Sequence, residues 1–297
     1  MKIWLGGLGV AGALLLSVSQ PAVAAPTAGS VAAVRQQVES SMLVGGDIHI
    51  ETDGSVSALQ LRQEDKLPEG VIKLVRDNAL QWRFEPIVVD GKPVRAIAPM
   101  NLRVIARKLE GGSYEISLRG VSFQKYDAVD PYSVTSIAMT PPRYPELAFR
   151  AGATGSVYLL VKVGRDGKVE DAFAEQVNLT FLSRESDQRR FREVLAKNAV
   201  DAAKRWTFRV PAEGDSATQP YWNVRVPISY AMGDSRDNKR ADTYGRWTSY
   251  VAGPRESAPW RTPDQNTDAS PDTLAEGGVY MADSNAGPRL LTPLQGG

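Results

Sequence analysis

The side chains that could do acid–base, nucleophilic or metal chemistry are few and scattered. The 297-residue chain has one histidine, His49, and no cysteine. A thiol nucleophile, a thiolate metal site, a disulfide and a lipid-attachment cysteine are excluded, and with them a multi-histidine metal centre. A serine–histidine–acid triad would have to be built on His49. His49 sits between Ile48 and Ile50, so a strand there turns it to the face opposite the isoleucines. No carboxylate–nucleophile set accompanies it. Glu51, Asp53, Glu64, Asp65 and Glu69 share no period and read as a solvated face. Asn178-Leu179-Thr180 has the glycosylation pattern, a short and frequent one. The formal net charge of +1 offers nothing to draw nucleic acid. The expectation is a protein that is not an enzyme, with no cofactor, no metal and no nucleic-acid partner.

What remains is main-chain chemistry. A free sheet edge presents unpaired N–H and C=O groups to which an extended peptide can add. The strand Tyr221 to Tyr230 has the required character, because Pro227 lacks a donor and belongs at an edge. The partner-binding residues expected from this strand are Tyr221, Asn223, Arg225, Pro227 and Ser229. Such an edge can also pair with its own copy, giving a homodimer through the closing strand.

Two blocks of elements carry this strand and its counterpart. Lys2, the apolar run Ile3 to Val18 and Ala22-Val23-Ala24 read as a signal peptide over residues 1–24, cleaved after Ala24. The alternative is a membrane anchor over residues 3–18, a run shorter than the ~20 residues of a spanning helix. The first block covers 25–119. Val31, Val34, Val38 and Met42 have helical spacing, predicting a helix to about Leu43 that ends at Gly45-Gly46. Ile48 and Ile50 begin a hairpin that turns at Asp53-Gly54, for which the flanking alternation predicts a primed turn, and returns through Val56. Val71, Val75, Ala79 and Trp82 share one helical face, and Met100 to Ala106 closes the block. A further strand is predicted over Ser113 to Leu118. Residues 120–140 read as a linker.

The second block, 141–232, repeats this order. It has a short helix after Tyr144-Pro145, a strand through Val157, Leu159, Val161 and Val163, and a turn at Asp166-Gly167. A helix follows with Phe191, Leu195, Ala199, Ala202, Ala203 and Trp206 on one face, then the closing strand through Trp222, Val224, Val226 and Ile228. Landmarks recur in one order: Asp53-Gly54-x-Val56 with Asp166-Gly167-x-Val169, Trp82-x-Phe84 with Trp206-x-Phe208, and Asn101-Leu102-Arg103-Val104 with Asn223-Val224-Arg225-Val226. They are 113, 124 and 122 residues apart, which predicts an internal duplication with an insertion in the Asn178–Arg190 loop. Both blocks are predicted to be α+β: a strand hairpin, a packed helix and a closing edge strand. The Asp-Gly pairs and Trp-x-Phe motifs are scaffold in this reading. Residues 233–297 are rich in Gly, Pro, Ser, Asp and Asn and read as a disordered tail, with Trp247, Tyr250 and Trp260 as isolated exposed aromatics.

The second block resembles the C-terminal domain of the TonB energy-transducer family. The resemblance rests on Tyr144-Pro145-x-x-Ala148, Gly152-x-x-Gly155-x-Val157, Asp166-Gly167-x-Val169, Arg205-Trp206-x-Phe208 and the Val-x-Val-Pro strand ending in Ile228. It spans about residues 141 to 231, and the first block looks like a diverged copy of the same domain. The resemblance implies a periplasmic α/β domain that pairs its last strand with a short peptide of an outer-membrane receptor. The family's transducers carry a histidine in a retained membrane anchor and a long proline-rich spacer. Residues 1–24 contain no histidine and residues 25–45 are no such spacer. The expectation is thus binding of an envelope protein or receptor peptide, linked to TonB-dependent transport. Two alternatives stay open: a membrane-anchored transducer, and a structural or cell-wall-associated module.

Overall fold

The computed structural model describes residues 27–109, 112–232, 244–262, 270–282 and 287–294. The segment read as a leader lies outside the described residues. No described helix is long and apolar enough to cross a membrane. The protein is α+β.

The first block opens with α1 (Val31–Arg35), capped by Ser30, whose Oγ accepts the Ala33 N–H at 3.2 Å. The helix stops there. Its expected second half is the start of β1 (Val38–Ile50), a 13-residue strand. Val38 and Met42 fit a helical spacing equally well, but Val38 to Ser41 pair with one neighbouring strand and Ser40 to Ile50 with another, which fixes the extended form. Gly45 and Gly46 lie inside β1 and do not end a helix. A Cβ on Gly46 would meet the Gln60 carbonyl oxygen at 2.5 Å, so glycine permits the close approach of β2 (Val56–Leu61).

The turn between β1 and β2 closes with the Gly54 N–H on the Glu51 C=O at 2.9 Å. Gly54 has φ +80, while Thr52 and Asp53 keep negative φ. A primed two-residue turn needs positive φ earlier in the loop, so the observed form is a three-residue loop ending in a left-handed glycine. α2 (Glu69–Ala79) then buries Val71, Val75 and Ala79 against Met42, Val44 and Ile48. The chain leaves it through Trp82 and Phe84, both buried and edge-on to Phe123 at 5.9 and 5.0 Å between ring centres. A small hairpin of β3 (Val88–Val89) and β4 (Lys92–Pro93) turns at Asp90-Gly91 and leads into β5 (Ala96–Lys108). β5 is the closing strand of this block, yet it is no edge, since it lies between β1 and β6 (Tyr114–Ser122). β7 (Thr135–Ala138), within the stretch read as a linker, belongs to the second block.

That block runs α3 (Glu146–Ala151), β8 (Gly155–Gly164), β9 (Val169–Leu179), α4 (Glu185–Ala203), β10 (Thr207–Arg209) and β11 (Tyr221–Tyr230). β10 pairs with β7. Phe191, Leu195, Ala199 and Ala203 of α4 pack on Val157, Leu159, Val161 and Val163 of β8 and on the even-numbered residues of β11. The extra length of this block is not a loop insertion. β9 has 11 residues where β2 has 6, and α4 has 19 where α2 has 11.

The chain after residue 243 corrects the expectation of a disordered tail. β12 (Thr248–Val251) pairs with β1 over Val38 to Ser41 and with β9 at Leu179. Among the described strands none of the first block pairs with one of the second, and β12 is the strand between them. It merges both into one antiparallel sheet of order β13-β11-β8-β9-β12-β1-β5-β6, with β2 on the other stretch of β1. β13 (Tyr280–Met281) caps the opposite end. Tyr250 is buried, its hydroxyl donating to Glu39 at 3.1 Å, and Trp247 packs on the first core. The composition of the tail cannot support a core by itself, but ready-made sheet edges supply the hydrogen-bond partners it needs.

Candidate functional site

The strand expected to bind a partner is built by its alternation. Trp222, Val224, Val226 and Ile228 point into the α4 core, so their odd-numbered neighbours share the opposite face. β8 pairs with β11 throughout, from Tyr221 opposite Gly164 to Tyr230 opposite Gly155. On the outer side Val224 faces Met281 and Arg225 faces Tyr280, and the Ala282 N–H donates to the Asn223 C=O at 2.8 Å. The carbonyl of Asn223 therefore aims outward, and by the two-residue period so do the main-chain groups of Arg225, Pro227 and Ser229. Pro227 lies where an outward N–H would have no partner within β11 and β8.

The structure brings the five predicted residues onto one face, and it uses most of them internally. Asn223 is 1% exposed, and its Oδ1 accepts the Trp260 indole N–H at 2.9 Å. Arg225 is 5% exposed and makes a two-pronged pair with buried Glu175 on β9, Nε to Oε2 at 2.7 Å and Nη2 to Oε1 at 3.1 Å. Pro227 is buried opposite Tyr158, whose hydroxyl is pushed up to about 12, chiefly by burial. Tyr221 is half-buried, with the Lys162 ammonium 4.3 Å from its ring centre. Ser229 is half-buried. The side chains of Asn223 and Arg225 are thus committed within the chain, which leaves the expectation of main-chain pairing along this strand untouched.

Sequence reasoning missed what covers this face. Leu160, Phe173, Ala258, Trp260 and Ala282 form a small apolar cluster there. Ala258, Trp260 and Ala282 belong to the tail, whose polar composition hid them. Glu175 was also missed, although an acid at an inward position of a strand rich in small apolar residues is a signal that a buried cation faces it. Asn178 is buried, with Oδ1 accepting the Gly253 N–H at 3.0 Å, which is no setting for a glycan. His49 is half-buried, opposite Ala58 and Ile97. Among the described residues no group of three or more His, Asp or Glu is arranged to hold a metal.

At the start of β11 the edge opens into a cavity of about 830 Å³, bordered by Tyr126, Tyr132, Tyr221, Trp222 and Met281. Asp127, Asp130 and Asp215 line it too, with Lys125 the basic residue among its walls.

Fold and site together define an α+β protein whose long antiparallel sheet ends in an edge that accepts a short added strand. Protein TonB from each of two strains of Xanthomonas campestris pv. campestris is 35% identical to the chain over 99 residues, covering 33% of this chain and 38% of the relative. The match thus spans under two fifths of the curated relatives' length. No family model matches the chain. No solved structure matches it. Over a third of its length the chain is TonB-like.

Proposed function

We propose that this is an exported, periplasmic TonB-like protein. It binds an envelope protein, such as the N-terminal peptide of an outer-membrane receptor, by adding a strand to the outer edge of β11. It is linked to TonB-dependent transport and is not an enzyme. The observation that carries the reading is the β13–β11 pairing: this edge accepts an antiparallel strand through main-chain groups, with Pro227 at an outward position. The similarity to Protein TonB supports the class of partner. The two blocks are copies of one unit in this reading. Its support is that Phe84 and Phe208 donate their N–H groups to Gly54 and Gly167 at the same distance, 2.8 Å.

A photo-crosslinker at Ser229, placed in the full chain in its native envelope, tests the binding edge. Crosslinks to the N-terminal segment of an outer-membrane receptor are expected. Crosslinks confined to other faces, with none from Ser229, would sink the reading. The same similarity supports a second reading, a transducer anchored by residues 3–18. Sequencing the mature N-terminus separates the two, because a start at Ala25 excludes that anchor. A homodimer through the whole of β11 would first have to displace β13.

A further inference from the structure

β13 occupies the outer edge of β11 with little pairing. Among the described residues β8 holds β11 by ten register pairs, while β13 makes two, Val224 with Met281 and Arg225 with Tyr280, plus the Ala282–Asn223 hydrogen bond. Gly277, at φ +81, and Gly278 precede it. The left-handed glycine bends the chain into the edge at low steric cost.

The side chains of this short strand fill defined sockets. Val279 and Met281 are buried in the α4 core, and Gln124 Nε2 donates to the Met281 C=O at 3.1 Å. Tyr280 and Ala282 fall on the other face, where the Tyr280 hydroxyl donates to the Ala275 C=O at 3.0 Å and Ala282 joins the Leu160 cluster. The main-chain ladder gives attraction without selectivity. The sockets supply it, by requiring apolar side chains two positions apart. Beyond Asn223, an incoming strand would continue over Tyr221 into the cavity, whose described walls carry three aspartates and one lysine.

We infer that Val279–Ala282 is a displaceable resident strand, and that the partner is an extended segment, antiparallel to β11, with apolar residues in the Val279 and Met281 positions and a Lys or Arg three positions after the second. This inference rests on the proposed binding edge and adds to it the chemistry of the partner and the competition with the chain itself. The apparent affinity for such a partner is the intrinsic affinity reduced by the fraction of molecules whose edge is vacant.

The chain's lack of cysteine makes a direct test available. Val224 and Met281 are directly opposite, next to the hydrogen-bonded Asn223–Ala282 pair, so they form the close, non-hydrogen-bonded kind of cross-strand pair suited to a disulfide. The full chain carrying Val224→Cys and Met281→Cys is titrated, oxidised and reduced, with the labelled peptide Gly-Gly-Val-Tyr-Met-Ala-Ser-Lys. Reduced protein is expected to bind, and oxidised protein to lose binding. Peptides with Asp at the Val and Met positions should bind at least about tenfold more weakly. A terminal Glu in place of Lys should weaken binding at low salt, and less so at high salt. Should the disulfide form incompletely, Met281→Asp serves instead and should tighten binding of the unmodified peptide about tenfold. Equal binding by oxidised and reduced protein overturns the inference, as does a dimer that forms on reduction and takes no peptide. If Ser229 crosslinks a receptor equally in both redox states, the binding edge stands and the displacement fails. If the peptide binds on reduction while Ser229 crosslinks no envelope protein, the strand exchange stands and the proposed function fails.

Discussion

Gly54 and Phe84 are joined backbone to backbone. The Phe84 N–H donates to the Gly54 C=O at 2.8 Å, and a Cβ on Gly54 would lie 1.9 Å from the Phe84 carbonyl oxygen. Gly167 and Phe208 stand in the same relation, at 2.8 and 2.2 Å. The hairpin turn is thereby tied to the residue that anchors the helix exit in the core. Both glycines have positive φ, +80 and +76. Gly54→Ala and Gly167→Ala are each expected to destabilise by roughly 2–4 kcal/mol, since backbone strain and a collision with a fixed carbonyl combine. Urea unfolding measures this, and a change below about 0.5 kcal/mol in either would disprove the tie.

Glu175 and Arg225 are buried together on the face covered by the tail. Removing Glu175 takes away the carboxylate that holds the buried Arg225 guanidinium in a two-pronged pair. Glu175→Ala should therefore cost about 3–5 kcal/mol, while replacing both with Leu and Met should recover most of that loss. A double-mutant cycle by chemical denaturation checks it. Equal losses in single and double variants would show that packing, not charge, decides this site.

Glu39 is held by Arg107 at 2.9 Å, by Arg119 at 2.7 Å and by the Tyr250 hydroxyl at 3.1 Å. Burial by itself would raise its carboxyl pKa. The hydrogen bonds from Arg107, Arg119 and Tyr250 and the charge of Arg119 outweigh burial and leave it below the ordinary 4.5. A carboxyl with a depressed folded-state pKa contributes stability above 4.5, and this is lost as pH falls through the folded value. Because Tyr250 lies on β12, acid should loosen the tail strand. Glu39→Gln should flatten that part of the stability–pH curve, as followed by hydrogen exchange of the β12 amides. A curve unchanged by the substitution would count against the role of Glu39.

β12 is the strand through which the two half-sheets join. A chain ending at residue 243 should unfold in two calorimetric transitions in place of one, because each block keeps its own apolar core but loses the shared sheet. It should also bind a hydrophobic dye through Leu160 and Phe173, which Ala258 and Trp260 then no longer cover. A single transition at an unchanged temperature would show that the tail is not structural.

The sequence by itself determined what depends on neighbours along the chain. The Asp-Gly turns follow from glycine's freedom at positive φ. The buried faces of α2 and α4 follow from apolar spacing. The strand character of Tyr221 to Tyr230 follows from alternation, and the outward place of Pro227 from its missing N–H. Local spacing misled where it suited two periods. Val38 and Met42 read as a helix face, and pairing on both sides of β1 made them a strand. The tail was illegible for a related reason. Tyr250 and Trp260 have no periodic apolar neighbours and Met281 has a single one in Val279, and their order comes from Glu39, Asn223 and the edge of β11, between 37 and 211 residues away in sequence for the hydrogen-bonded pairs. Only the tertiary structure brings those partners together. It alone decides that the blocks share one sheet, that β5 is interior, and that the edge of β11 already holds a strand of its own chain.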